Sequence, residues 1–143
     1  MEKTIGIAKA RENFSELVNR VAFGGERYMV QRRGKSLAAL ISATEYHQLM
    51  ELLGEGGVND DVHGLPVRVR FDGERYFVSD DILDLYGVGK TLDEARQDYS
   101  LAVRDYYDDL WANADSLAGH LQEHLDFLRQ LFPEGPGEEE WPS

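Results

Sequence analysis

The strongest constraint on the fold of this chain is a glycine- and acid-rich segment near its middle, residues 54–64. It contains four glycines and three acidic residues. Such a composition is typical of a flexible linker, which would divide the 143 residues into two small domains, 1–53 and 65–132. The last stretch, residues 133–143, is rich in Pro, Gly and Glu and has little to bury, so the sequence predicts a disordered acidic tail.

Charge is divided unevenly between the two halves. The net charge is −12. Residues 1–53 carry eight Lys or Arg and six Asp or Glu, a balance of +2, whereas residues 54–143 carry seven and 21, a balance of −14. The acidic average argues against nucleic-acid binding for the whole chain, but the N-terminal half alone remains compatible with it.

The composition also indicates in which cellular compartment the protein works. The chain has no cysteine, which excludes a disulfide framework and a thiolate metal site. No window approaches the roughly 20 apolar residues of a membrane helix. The N-terminal residues do not form a charged-then-apolar leader, so we expect a cytoplasmic protein without a membrane partner.

The sequence of the N-terminal half predicts the element order β-α-β-β-α. A strand over 3–7 precedes a helix whose apolar residues recur at the helical period from Ile7 to Val21. Strands over 28–32 and 37–41 follow, and Ser42 with Glu45 forms a capping box for a second helix. A unit of 53 residues buries little of its own surface, so we expect it to pair with a second copy as a homodimer.

The C-terminal half combines strands with two helices. Residues 67–71 and 75–79 alternate in strand fashion around an Asp-Gly pair, the strongest short hairpin signal, and 86–88 add a third strand. Thr91 caps a long helix, and a last helix spans about 116–132. The predicted fold class is therefore α+β, a β-α-β-β-α domain followed by a small sheet with two helices.

Short patterns that resemble catalytic or ligand-binding motifs have simpler explanations. His120 and His124 match the H-x-x-E-H pattern of inverted zinc peptidases, but the leucines around them describe an ordinary amphipathic helix. Residues 87–91 end like a phosphate-binding loop, but Asp84 stands where its first glycine belongs. The acidic cluster that Asp84 forms with Asp80 and Asp81 lacks the alternating ligands of a calcium loop, so a solvated turn is expected. We predict no enzyme, no metal and no cofactor.

Four cations of the N-terminal half form a candidate phosphate-contacting surface. Arg11 lies at the edge of the apolar stripe of the first helix, and Arg32, Arg33 and Lys35 crowd the loop between the two strands. In the C-terminal half, Tyr107 and Trp111 lie off the main apolar stripe of the long helix. Their amphipathic rings are candidates for a partner-binding surface.

The N-terminal half resembles the Phd/YefM antitoxins. The resemblance rests on A-R-x-N-F at 10–14, R-x-G-K at 32–35 and S-x-x-E-Y at 42–46. It implies a dimerising, DNA-binding module in which Arg11 and Arg32 contact operator DNA. Arg33 stands where that family often has asparagine. The C-terminal half is more weakly similar to the HicB-type antitoxin module, on the strands 67–71 and 75–80 and the helix entry after Gly87.

These observations predict an antitoxin of a type II toxin–antitoxin system that represses its own operon. Its expected partners are operator DNA, a second copy of itself and a basic toxin, either a ribonuclease or another toxin that targets translation. One alternative is a stand-alone transcription regulator with an acidic sensing domain. Another, from a different class, is a metal-dependent hydrolase built on the two helix histidines.

Overall fold

The computed structural model describes residues 2–137, and these confirm the predicted α+β class. The chain divides into an N-terminal unit, Met1–Glu51, and a C-terminal unit, Leu52–Ser143. The two units have separate buried clusters, of four residues in the first and thirteen in the second. Each unit is therefore built around its own sheet.

The N-terminal unit contains a three-stranded sheet in the order β1-β2-β3, with β1 at Glu2–Gly6, β2 at Arg27–Arg32 and β3 at Lys35–Leu40. Strand β1 runs parallel to β2, and this arrangement requires a helical crossover between them. Strand β3 returns antiparallel to β2 through a two-residue turn. Helix α3, Ala43–Glu55, then begins with Ser42, whose Oγ accepts the Glu45 backbone N–H at 3.1 Å as the capping box predicts.

The crossover is two helices and not the single helix that the sequence predicted. Helix α1 spans Ile7–Glu12 and helix α2 spans Phe14–Gly24, with Asn13 between them at φ −118° and ψ 26°. The Asn13 side-chain amide donates to the Lys9 carbonyl oxygen at 3.1 Å. Asparagine competes for backbone groups in this way, which explains why the helix is interrupted here although the apolar period continues through it.

The N-terminal unit buries few side chains and exposes many large apolar ones. Its buried residues are Ala10, Leu17, Val21 and Tyr28. The exposed large apolar residues of this unit are Ile7, Phe14, Val18, Phe23, Leu37, Tyr46 and Leu49. An apolar surface of this kind is typical of a unit that is completed by a partner.

The C-terminal unit is an antiparallel meander in the order β4-β5-β6-β7. Its strands are β4 at Val58–Val62, β5 at Leu65–Phe71, β6 at Tyr76–Ser79 and β7 at Tyr86–Gly89. Strand β4 corrects the prediction of a flexible linker over 54–64. It pairs with β5 along its whole length and buries Val62, so five of the eleven residues of that segment belong to the sheet, and residues 54 and 55 belong to the end of α3.

Helix α4, Leu92–Ala112, covers one face of this sheet, and helix α5, Gly119–Leu131, packs against α4. A 3₁₀ turn, Ala114–Ser116, connects them. Thr91 caps α4 as predicted, because its Oγ1 accepts the Glu94 backbone N–H at 3.1 Å. At Gly87 an added Cβ would lie 2.2 Å from the Tyr99 backbone nitrogen. Strand β7 therefore lies so close to α4 that only glycine fits at this position.

The segment after α5 lies against α4 where the structure describes it. Gly135 and Pro136 are buried, and Arg104 on α4 donates to the Gly137 carbonyl oxygen at 3.0 Å. The sequence predicted disorder over 133–143, whereas 133–137 are held by these contacts. Residues 138–143 of that predicted tail lie outside the described residues.

Candidate nucleic-acid interface and partner-binding surface

Three of the four predicted DNA-contacting residues lie at one end of the N-terminal sheet, and the fourth, Arg11, lies on the helix that begins there. Because β1 and β2 are parallel, both end there, and Gly6 of β1 pairs with Gln31 of β2. Helix α1 begins at the next residue after Gly6, and its six residues extend about 9 Å. Arg11 therefore lies on the helix that begins at the edge where Arg32 ends β2.

The other predicted cations sit on the β2–β3 hairpin at the same edge. Arg32 and Lys35 are cross-strand partners, and Arg33 and Gly34 between them have φ values of 52° and 78°. Two successive positive φ values define the tight turn that suits the twist of a hairpin. Arg32, Arg33 and Lys35 are all exposed, as is Arg11. We name these four residues the basic edge.

The residues of the basic edge, like Lys9 on α1, lack carboxylate partners within residues 2–137, whereas the remaining cations of the unit have them. Arg20 lies on Glu16 at 2.5 Å and Arg27 on Glu45 at 2.7 Å. None of the four basic-edge residues forms an ion pair or a side-chain hydrogen bond with any residue in 2–137. Their positive charge is therefore available to phosphate groups.

A third ion pair fixes the opposite end of the same sheet. Lys3 on β1 contacts Glu26 at 2.8 Å, and the Tyr28 hydroxyl donates to the other oxygen of that carboxylate. The hydrogen bond from Lys3, followed by that from Tyr28, holds the pKa of Glu26 below its ordinary value. This cation is already engaged, which separates it from the basic edge.

The structure contradicts the prediction that Tyr107 contributes to a partner surface. Its side chain is fully buried, and its hydroxyl donates to the Phe132 carbonyl oxygen at 2.8 Å. Burial raises the pKa of that hydroxyl. The reason is that α5 and the segment after it pack on a second side of α4, so the buried face of α4 is wider than a single stripe.

Trp111, the other predicted partner-binding residue, remains accessible. It is 42% exposed, and the Arg129 guanidinium carbon lies 5.2 Å from the centre of its ring. Gly135 packs against one edge of the indole. Trp111 is therefore a supported, half-exposed aromatic surface of the kind that anchors protein partners.

The outward face of α4 was not predicted as a functional surface. It carries acidic side chains at helical spacing, with Leu101, 49% exposed, among them. The acidic residues of this face are Glu94, Asp98, Asp105, Asp108 and Asp109. None of them forms an ion pair within the described residues. The sequence signal that could have revealed this face is the spacing of residues 94, 98, 101, 105 and 108, because positions three or four apart lie on the same side of a helix.

Asp80, considered as part of a cation site, and His124, considered as part of a zinc-peptidase motif, have structural contacts instead. Asp80, expected in a solvated turn, is 5% exposed. One of its oxygens accepts the Ile82 backbone N–H at 2.9 Å, and the other accepts the Tyr99 hydroxyl at 2.8 Å. Burial, and then the bond to Asp80, raises the pKa of that hydroxyl. His124 is held by Tyr106, whose hydroxyl lies 2.6 Å from His124 Nδ1.

Residues 2–137 lack the features of two other classes of protein. Within that part of the chain, no three His, Asp or Glu side chains gather in a way that could hold a metal ion. None of its helices combines the length and the apolar character that a bilayer crossing requires.

Comparison with known proteins assigns the N-terminal part of the chain. Residues 2–55 match the family described as Antitoxin Phd_YefM, type II toxin-antitoxin system. No curated protein matches the chain significantly. The chain is similar to a crystal structure from Syntrophomonas wolfei subsp. wolfei, described as the antitoxin part of a proposed toxin/antitoxin system. The two are 17% identical with a TM-score of 0.42, over 95% of this chain and 89% of that one.

The family match confirms the resemblance of the N-terminal half, while the HicB resemblance of the C-terminal half stays a prediction. In the hairpin turn Arg33 has a positive φ of 52°, which is uncommon for a residue other than glycine. Residues 2–55 of this chain are therefore similar to the Phd/YefM antitoxin domain.

Proposed function

We propose that this chain is the antitoxin of a type II toxin–antitoxin system, acting in the cytoplasm. Its C-terminal unit neutralises a cognate protein toxin by direct binding, and its N-terminal unit represses the operon by binding operator DNA. The observation that carries the proposal is the basic edge on residues that match the Phd/YefM family. Its four exposed cations form no ion pair within residues 2–137, and they lie on the β2–β3 hairpin and on the helix that begins at the same end of the sheet.

Dimerisation of the N-terminal unit supports DNA binding by doubling the basic edge. The unit buries only four residues and leaves Phe14, Val18 and Leu49 exposed. Burial of such side chains between two copies would supply the apolar area that one copy lacks, at roughly 25 cal/mol per Å². A two-fold dimer would present two basic edges to a two-fold operator.

Within each basic edge, we assign different tasks to the four cations. The family resemblance places Arg11 and Arg32 closest to the bases. Arg33 and Lys35 project from the hairpin turn and would contact phosphates, which position the protein without reading sequence. The acidic C-terminal unit would repel DNA outside this surface.

The C-terminal unit carries the features of a surface for a basic protein. Residues 54–143 have a charge of −14, and a field of that sign accelerates encounter with a positive partner. Ribonucleases and other toxins that act on translation have positive clefts, because their substrates are polyanionic. Trp111 offers an exposed aromatic anchor, and Leu101 lies between the carboxylates of α4.

The test is to combine the full chain with the protein encoded by the adjacent reading frame and with DNA from their shared promoter. Calorimetry should show direct binding of that protein, and a mobility shift should show binding of the promoter by the chain. Promoter binding without any toxic or binding neighbour would favour the stand-alone regulator. Failure of both interactions would refute the proposal.

A further inference from the structure

The two edges of the C-terminal sheet differ in how they are protected. At the β7 edge, the Val88 backbone N–H is taken by Asp98 of α4 at 2.9 Å. The Lys90 N–H just beyond that strand is taken by Glu94 at 3.1 Å. At the other edge, four of the five residues of β4, 58–61, are exposed. Strand β4 is thus the open edge of this sheet.

The register shows which backbone groups β4 offers. Val62 and Leu65 flank a two-residue turn whose members, His63 and Gly64, both have positive φ, so this flanking pair is hydrogen-bonded. Because hydrogen-bonded and non-hydrogen-bonded pairs alternate, the N–H and C=O groups of Asn59 and Asp61 point away from β5.

A side-chain contact agrees with this register. Arg96 of α4 donates to the Asp61 carbonyl oxygen at 3.1 Å, which requires that carbonyl to point away from β5. Three further groups that point away from β5 form no hydrogen bond within the described residues: the N–H and C=O of Asn59 and the N–H of Asp61. Three outward backbone groups are therefore ready for an added strand.

The charge of β4 selects the occupant. If a second copy paired antiparallel along the whole strand, Asp60 would face Asp60 of the copy, and like charges directly opposite destabilise a sheet. A segment with Lys or Arg would instead meet Asp61 on one face of the sheet and Asp60 on the other, in a unit whose charge is already strongly negative. Asp60 is held in place by Arg96 at 2.6 Å.

We infer that β4 takes up an extended, basic segment of the cognate toxin as a fifth strand of the C-terminal sheet. This inference rests on the proposed function and names the surface through which it acts. Main-chain hydrogen bonds to Asn59 and Asp61 supply affinity, and the two carboxylates select lysine or arginine at two successive positions of the added strand, whose side chains lie on opposite faces of the sheet.

Amide hydrogen exchange of the full chain, alone and with the protein of the adjacent reading frame, tests this directly. The amides of Asn59 and Asp61 should exchange rapidly in the free chain and at least tenfold more slowly in the complex. The Asp60 amide, which pairs with Val67, should be protected in both states. Unchanged exchange at 59 and 61 in a formed complex would overturn the inference and leave the carboxylates as a guard against self-association.

A matched pair of variants provides a second test. Asn59→Pro removes the outward N–H without removing a hydrogen bond to β5, and proline is tolerated at such edge positions. Asn59→Thr keeps the N–H and suits a strand. Proline should weaken toxin binding at least tenfold and threonine less than twofold, with promoter binding unchanged in both. Equal affinities would refute the added strand, whereas absence of any binding by the unaltered chain would refute the proposed function itself.

Discussion

Replacing Arg33 with alanine should flatten the salt dependence of DNA binding by a predictable amount. A dimer presents eight basic-edge cations, and if most reach phosphates, the slope of log affinity against log salt should be about −5 to −7. Each dimer loses two cations in Arg33→Ala, so the slope should become less steep by about one to two units. Sequence preference should not change, because phosphate contacts carry no base information.

The structure supplies a matched control for this experiment. Arg20 has the same charge but is paired with Glu16, so Arg20→Ala should leave the slope unchanged. Fluorescence anisotropy with promoter DNA and with a scrambled duplex, over a series of salt concentrations, measures both slope and preference. An unchanged slope for Arg33→Ala, or equal effects of both variants, would contradict the assignment of the basic edge.

Three further predictions concern the fold and its assembly. Gly87→Ala should destabilise the C-terminal unit by about 2–3 kcal/mol in denaturant unfolding, because its Cβ would meet the backbone of α4, whereas Gly119→Ala, with open space around it, should stay within about 0.5 kcal/mol. Leu49→Asp should convert the full chain from dimer to monomer in sedimentation velocity while circular dichroism stays unchanged, and a folded monomer of the unaltered chain at micromolar concentration would defeat this. Because the pKa of Glu26 is lowered in the folded protein, its ionised carboxylate stabilises the fold above the ordinary pKa of 4.5, and this stabilisation is lost as the pH falls through the lowered pKa. Glu26→Gln weakens the contact with Lys3, so it should lower the melting temperature near neutral pH. The melting temperature of this variant should also fall less steeply in acid than that of the unaltered chain.

Local signals in the sequence were sufficient where a few neighbouring residues determine the structure. Ser42 and Thr91 cap their helices as predicted, because capping involves residues only three apart. The Asp72–Gly73 hairpin also forms, with Asp72 Oδ1 accepting the Arg75 backbone N–H at 2.8 Å. The four cations of the basic edge were predicted from the charged residues themselves, and the family resemblance added the expectation that Arg11 and Arg32 contact operator DNA.

The errors arose where distant parts of the chain decide the outcome. Strand β4 has two aspartates and glycine neighbours, and only its pairing with β5 makes it a strand. Tyr107 is buried because α5 and the segment after it cover a second side of α4, a contact that helical periodicity cannot reveal. The sequence predicted a solvated Asp80 because a hydrogen-bond partner of its carboxylate, the Tyr99 hydroxyl, lies on another element.

The central claim is that the C-terminal unit neutralises a toxin and the N-terminal unit does not. Growth rescue measures this most directly. The toxin of the adjacent reading frame is co-expressed with the full chain, with residues 1–51 or with residues 52–143, the two units into which the chain divides. We expect growth with the full chain and with 52–143, and arrest with 1–51. Rescue by 1–51 but not by 52–143 would contradict it.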